Sequence, residues 1–206
     1  MVKVKVCGIT NLRDARNAIA CGADALGFVF YKKSRRYIKP QKAGAIIRKL
    51  AKGIIKVGVF VDSPASEVCV IARQCALDML QFHGNESKQF CAEFKGYKTI
   101  KAFRIKEKVR VRELLKYKTS AYLFDTYANR MFGGTGKAFS WKLLEGLNKI
   151  KKPIFLAGGL TAENVAAAIR MVGPDWVDVS SSVEARPGKK DHKKIKDFIE
   201  ALRQEA

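Results

Sequence analysis

Long hydrophobic runs are missing from this sequence of 206 residues. A helix that spans a membrane needs about 20 mostly apolar residues, whereas charged residues interrupt every apolar run here within about eight positions. The first six residues alternate apolar and basic side chains, and they therefore lack the apolar segment of a secretory signal peptide. The sequence predicts a cytoplasmic protein with no membrane partner.

Histidine is scarce, and the cysteines lack the spacing of metal or disulfide sites. The chain has two histidines and five cysteines, and the cysteines are widely separated, with no CxxC pair. A structural zinc site uses four cysteine or histidine ligands, and disulfide frameworks are typical of small secreted domains. The composition therefore argues against both kinds of site, and we expect no metal. The cysteines are Cys7, Cys21, Cys69, Cys75 and Cys91.

Acidic residues are few, with 19 Asp and Glu against 40 Lys and Arg, and the formal net charge is +21. Such an excess fits a nucleic acid partner, an anionic membrane surface, a small anionic substrate or merely a solvated surface. The basic residues are spread over many predicted helices, as at 48–49, 106–112 and 189–196, without an RNA- or DNA-binding signature. We therefore expect a small anionic substrate and no nucleic acid partner.

Short aliphatic runs alternate along the whole chain with longer amphipathic stretches. The runs predict eight strands, at residues 4–7, 25–30, 55–61, 79–82, 99–103, 121–124, 154–157 and 176–179. Helical spacing places Ala43, Ile46, Ile47 and Leu50 on one helix face, and residues 195–202 repeat this pattern. Pro64 and Thr161 are predicted to lie at helix starts. No linker-like segment divides the chain.

A short pattern recurs in which a small residue and an aspartate precede a strand, at Asp24, Asp78 and Asp175. Eight such βα units predict one domain over residues 1–206, a closed (βα)8 barrel of parallel strands, with an open doubly wound sheet as the alternative. Barrels carry chemistry at the C-terminal ends of their strands and stability at the N-terminal ends. The three aspartates are therefore expected to be structural.

The loops after predicted strands seven and eight carry residues suited to phosphate. Gly158 and Gly159 allow close approach of the backbone, and Ser180 and Ser181 add N–H and hydroxyl donors. Barrels often bind phosphate between these two loops. Small residues in ordinary tight turns are the alternative explanation for either loop alone. Because both loops have this composition, we favour phosphate binding.

Two further strand ends offer reactive side chains. Cys7 ends the first strand just before Gly8 and a helix start at Thr10 or Asn11, where positive potential is expected to favour the thiolate. A buried structural cysteine is the alternative. Asp125 ends the sixth strand and suits either a turn or a general acid. The glycine-rich stretch 133–136 after it predicts a loop that closes over the substrate.

These residues together resemble the phosphoribosylanthranilate isomerase family of tryptophan biosynthesis. The resemblance covers nearly the whole chain and rests on six pieces in order, at residues 5–10, 22–31, 81–84, 125 with 133–136, 156–160 and 178–181. It implies an eight-stranded βα barrel that needs no cofactor. It also implies an Amadori rearrangement of N-(5-phosphoribosyl)anthranilate to 1-(2-carboxyphenylamino)-1-deoxyribulose 5-phosphate, a small anionic phosphosugar substrate.

The resemblance also implies roles for individual residues. Asp125 would protonate the ribose ring oxygen as the general acid, and Cys7 would remove the C2 proton as the general base. Arg36 would hold the anthranilate carboxylate through its guanidinium fork. The phosphate would bind Gly158, Gly159, Ser180 and Ser181, and the pocket would be lined by His83 and Asp178.

The chain departs from the family pattern at three places. Arg35 stands where the family usually has proline, so that either Arg35 or Arg36 could reach the substrate, and we prefer Arg36. Ser182 replaces a common glycine in the phosphate loop, which matters if its φ must be positive. Ser140 replaces a frequent aspartate before Trp141. Other phosphosugar barrels would be expected to use two carboxylates or rim lysines, and both a monomer and a homodimer stay open.

Overall fold

Eight parallel strands form a closed barrel in the computed structural model of the chain, which describes residues 1–105, 107, 110–126, 141–144, 147 and 150–204. The barrel closes because β1 pairs with β2 on one side and with β8 on the other. This closure confirms the predicted barrel and excludes the open sheet. The strands are β1 (Lys3–Cys7), β2 (Ala25–Val29), β3 (Ile55–Phe60), β4 (Met79–Phe82), β5 (Lys98–Ile105), β6 (Ala121–Thr126), β7 (Ile154–Ala157) and β8 (Trp176–Val179).

Helices follow most of these strands on the outside of the barrel. They are α1 (Leu12–Ala20), α2 (Pro40–Ile47), α3 (Ala65–Gln74), α4 (Lys88–Ala92), α5 (Val111–Leu114), α6 (Val165–Val172) and α7 (His192–Arg203). Short 3-10 turns cover Trp141–Leu144 and Ser181–Val183, and a small hairpin of β9 (Glu184–Arg186) and β10 (Lys189–Lys190) precedes α7. None of the helices in the described part of the chain has the length and apolar character needed to cross a bilayer.

The predicted helix boundaries are less accurate than the strands. Helix α2 ends at Ile47, so that Leu50 packs against the core from beyond the helix. Helix α6 begins at Val165, not at Thr161, because Asn164 turns back and its Oδ1 accepts the Thr161 backbone N–H at 2.8 Å. Pro64, in contrast, directly precedes α3, as expected of a residue that cannot donate a backbone hydrogen bond.

The main hydrophobic core lies between the strands and the surrounding helices. Helix α7 contributes a face of four fully buried side chains, Ile195, Phe198, Ile199 and Leu202, as the periodicity predicts. Its start is capped by Asp191, whose carboxylate accepts the N–H groups of the next turn. This packing joins the two ends of the helix layer around the barrel, because α7 contacts both α1 and α6.

The interior of the barrel is filled by side chains that alternate with the outward-facing core residues. A second apolar cluster occupies the interior, with the stacked rings of Phe155 and Trp176 as its largest members. Three polar residues, Lys5, Gln81 and Asp178, are buried on the strands near Cys7. These three residues lie on the interior surface beneath the C-terminal end of the barrel. Their burial is notable because polar groups are rarely buried without partners.

The three repeated aspartates lie at the N-terminal end and hold neighbouring strands. Each carboxylate precedes one strand and accepts a backbone N–H from the strand before it in the barrel. The three bonds are 2.8 Å long and join Asp24 to Val4, Asp78 to Lys56, and Asp175 to Ile154. Their structural role is confirmed.

Candidate active site

A cavity of about 380 Å³ opens at the C-terminal ends of the barrel strands. It brings together every site residue predicted from the sequence: Cys7, Arg36, His83, Asp125, Gly158, Gly159, Asp178, Ser180 and Ser181. Arg36 lines it, whereas Arg35 is not among the described residues of its wall, in agreement with the preference for Arg36. The predicted loop at 133–136 and the departure at Ser140 lie outside the described residues.

Cys7 is the last residue of β1, and its side chain is tightly enclosed at 8% exposure. Gly27 stands opposite it on β2, and a Cβ at that position would lie 2.6 Å from the Cys7 Sγ. Only glycine therefore leaves room for the thiol. The Ser180 hydroxyl donates to the Cys7 carbonyl at 3.1 Å, which ties the thiol strand to the loop after β8.

The expectation that the helix start lowers the pKa of Cys7 is wrong for this structure. Burial raises the pKa of the thiol, and the ammonium groups of Lys5 and Lys190 offset this only in part. Helix α1 begins at Leu12 with Asn11 as its N-cap, and the Asn11 side chain already accepts an N–H group of the first turn. The groups that favour ionisation of this thiol are therefore the side chains of Lys5 and Lys190, and not the start of α1.

Lys5 lies beneath Cys7 in the barrel interior and is completely buried. Its Nζ is 2.7 Å from Oδ2 of Asp178 on β8. Burial alone would lower the pKa of Lys5, but the Asp178 carboxylate and Cys7 outweigh it, and the pKa is raised. Oδ1 of Asp178 is buried without a hydrogen-bond partner in the described part of the chain. Lys5 was not predicted, although its inward position two residues before Cys7 was the available signal.

Asp125 belongs to a chain of three side chains across β4 and β6. Its Oδ2 is 3.1 Å from Nε2 of His83, and Nδ1 of His83 is 2.8 Å from Nε2 of Gln81. Because the Gln81 amide nitrogen can only donate, Nδ1 accepts and the imidazole proton lies on Nε2, directed at Asp125. His83 therefore stabilises the Asp125 carboxylate. Gln81 was not predicted, because its alternation with apolar neighbours is typical of any strand.

Arg36 is held by a buried carboxylate. Its Nε and Nη2 donate to the two oxygens of Glu184 at 2.8 and 2.7 Å, a bidentate pair that leaves Nη1 for another ligand. The Lys190 Nζ donates to the same Glu184 at 3.0 Å and to the Ser180 carbonyl at 3.0 Å. Burial would raise the pKa of Glu184, but Arg36 and Lys190 outweigh it and the pKa is lowered.

The two glycine- and serine-rich loops face each other at one side of the cavity. Gly158 and Gly159 have φ values of 86° and 65°, a region that favours glycine. The loop after β8 forms the 3-10 turn Ser181–Val183, and the Ser182 hydroxyl donates to the Leu160 carbonyl, which joins the two loops. Among the described non-glycine residues only Asp62 and Ala76 have positive φ, so Ser182 fits the loop without strain.

Fold and cavity together define a class of protein: a (βα)8-barrel enzyme with a thiol, a carboxyl group, a guanidinium and two glycine- and serine-rich loops around one pocket at the catalytic end. A sequence model described as N-(5'phosphoribosyl)anthranilate (PRA) isomerase matches residues 4–201. The chain belongs to this family, and it is an isomerase.

Individual relatives agree with this assignment. The chain is 49% identical over 199 residues to the N-(5'-phosphoribosyl)anthranilate isomerase of Pelobacter propionicus, a match that covers 97% of this chain and 94% of that protein. The crystal structure of phosphoribosyl anthranilate isomerase from Thermotoga maritima has a TM-score of 0.92 at 42% identity, covering 99% of this chain and all of the other.

A further solved structure contains a ligand. It is a phosphoribosyl anthranilate isomerase in complex with reduced 1-(o-carboxyphenylamino)-1-deoxyribulose 5-phosphate. It is similar to this chain with a TM-score of 0.89 and 40% identity, covering 99% of this chain and all of the other.

Proposed function

We propose that the chain converts N-(5-phosphoribosyl)anthranilate into 1-(2-carboxyphenylamino)-1-deoxyribulose 5-phosphate, as a step of tryptophan biosynthesis in the cytoplasm. The whole chain, residues 1–206, acts as one catalytic domain. The observation that carries the proposal is that one cavity, in a chain of this family, collects all nine predicted residues at the catalytic end of the barrel.

The two anionic ends of the substrate bind to different groups of the cavity wall. The phosphate lies against Gly158, Gly159, Ser180 and Ser181, which line the cavity and can offer backbone N–H groups. The anthranilate carboxylate pairs with Arg36, which Glu184 holds in a fixed orientation. Binding at both ends places the ribose between Cys7 and Asp125.

Asp125 is the general acid of the first step. It gives its proton to the ring oxygen while the bond from C1 to that oxygen breaks, and the nitrogen lone pair forms the Schiff base. Asp125 becomes a carboxylate in this step, and the His83 Nε2–H directed at its Oδ2 stabilises the charge that develops.

Cys7 is the general base of the second step. Its thiolate takes the C2 proton, and the C2–H electron pair forms the enolamine as the Schiff-base nitrogen is neutralised. Tautomerisation of the enolamine then gives the ketone. His83 and Asp178 line the cavity and contact the sugar.

The proposal is tested with the purified chain and phosphoribosylanthranilate as substrate, by following the loss of substrate fluorescence. We expect rapid turnover without added metal or cofactor, and no turnover of the substrate of the histidine-pathway isomerase. Turnover of that second substrate in place of the first would overturn the proposal.

A further inference from the structure

Lys5 is a completely buried cation for which the proposed reaction has no direct use. It lies two residues before Cys7 on β1, and alternate residues of a strand point to the same side, here the barrel interior. Its Nζ contacts Asp178 at 2.7 Å, and its charge acts on Cys7, whose side chain points into the same interior. Lys5, Cys7 and Asp178 therefore form one buried cluster.

The charges of this cluster depend on the state of the thiol. With Cys7 protonated, the Lys5 ammonium and the Asp178 carboxylate cancel. With Cys7 ionised, one buried cation faces two buried anions. A thiolate in a water-poor interior is costly unless a cation contacts it, so the strength of the base depends on how Lys5 divides its interaction between Cys7 and Asp178.

Three other charged side chains near the cavity already form ion pairs. Arg36 and Lys190 both pair with Glu184, and His83 pairs with Asp125. Arg104 lines the cavity beside Asp125 on the far strands β5 and β6, and Tyr31 lines it from the loop after β2. Lys5 is thus the cation that shares the barrel interior with the thiol.

We propose that Lys5 is the positioning residue of the general base: its ammonium is the counter-charge of the Cys7 thiolate, and Asp178 limits how strongly it acts. The inference rests on the proposed role of Cys7. It predicts opposite effects of the two neighbours. Removing the charge of Lys5 weakens thiolate formation, and removing the charge of Asp178 promotes it.

Thiolate formation is measured without turnover. Brief pulses of iodoacetamide modify thiolates, and mass spectrometry of the peptide that contains Cys7 gives the rate for this residue apart from the other four cysteines. The rate is recorded from about pH 6 to about pH 11, which covers the ordinary range of a thiol. The variants are Lys5→Met and Asp178→Asn, with thermal melting to establish that each is folded.

In Lys5→Met we expect alkylation of Cys7 at pH 8 to fall by at least about tenfold, which corresponds to a pKa higher by about one unit. In Asp178→Asn we expect it to rise by a similar factor, because the ammonium is left to the thiolate alone. Lys3→Met is the matched control. Lys3 lies on the same strand, nearer the N-terminal end and exposed, and its removal leaves the Cys7 profile unchanged.

Shifts in the same direction, or profiles within twofold of the unmodified protein, would overturn the role of Lys5. If Lys5→Met does not fold, the nearly isosteric Asp178→Asn variant decides alone. In that case the inference is overturned if Cys7 is not alkylated faster in Asp178→Asn than in the unmodified protein. A failure of the proposed function is distinguishable, because it appears as unchanged turnover in Cys7→Ser whatever the alkylation profiles show.

Discussion

Single residues decide the chemistry of this cavity, and their properties arise from three-dimensional neighbours. The positions of Cys7, Arg36, His83 and Asp125 around one pocket could be predicted, because each follows or ends a strand and strand ends meet in a barrel. The place of Asp178 followed only from the family resemblance. The direction of the shift in the Cys7 pKa could not be predicted, since it depends on burial between strands. Gln81 was missed because its alternation with apolar neighbours is typical of any strand.

Gly27 provides the space for the Cys7 thiol. In Gly27→Ala the new methyl group would lie 2.6 Å from Sγ and displace it. We expect kcat to fall by at least about tenfold at a destabilisation of about 1–3 kcal/mol. Gly96→Ala is the control, because nothing lies within 4 Å of its Cβ position. Steady-state kinetics with unchanged kcat in Gly27→Ala would contradict the tight enclosure of Cys7.

Glu184 makes an acid-sensitive contribution to stability. Its pKa is lowered in the folded chain, so the contribution is present above its ordinary pKa of 4.5 and is lost as pH falls through the folded value. We expect Glu184→Gln to be less stable than the unmodified chain at pH 7, with a difference that shrinks toward about pH 3. Urea unfolding across this range measures it. A difference that does not change with pH would rule out the ion pairs with Arg36 and Lys190 as its cause.

Strands are simple to predict from the sequence where both of their faces are buried. All eight strands could be predicted, because strands covered by helices and by the barrel interior are apolar on both faces. Helix ends were harder. The side chain of Asn164 forms a local turn that delays α6, and such competition between side chain and backbone is not visible in the hydrophobic period.

The strand-capping aspartates are predicted to affect stability alone. In Asp24→Ala the backbone N–H of Val4 loses its acceptor at the N-terminal end of the barrel. We expect a loss of about 1–2 kcal/mol in the free energy of unfolding, with kcat and KM unchanged because the cavity lies at the other end. Chemical denaturation and kinetics on the same sample check this. Impaired kcat at full stability would contradict the division between the two ends.

At the scale of the whole molecule, the 40 basic residues fall into two groups. Some cations are internal, since Lys5, Lys101 and Lys190 form buried ion pairs with Asp178, Glu86 and Glu184. Most of the other basic side chains lie toward solvent, where they create a positive field around the molecule. A substrate with a phosphate and a carboxylate is attracted by such a field.

This attraction predicts a dependence on salt. Raising the ionic strength from about 0.01 M to about 1 M shortens the screening length from about 30 Å to about 3 Å. We expect kcat/KM to fall several-fold, whereas kcat at saturating substrate stays constant because the bound groups are shielded from solvent. If kcat falls in parallel with kcat/KM, salt acts on the chemistry and not on the encounter.

The central claim is that Cys7 and Asp125 act as base and acid in one cavity, and turnover of Cys7→Ser and Asp125→Asn tests it most directly. Positioned acid–base groups contribute about 10²–10⁴-fold in rate. We therefore predict that both variants melt within a few degrees of the unmodified chain and lose at least about a hundredfold in kcat/KM for phosphoribosylanthranilate. Near-normal turnover in either folded variant would contradict the account.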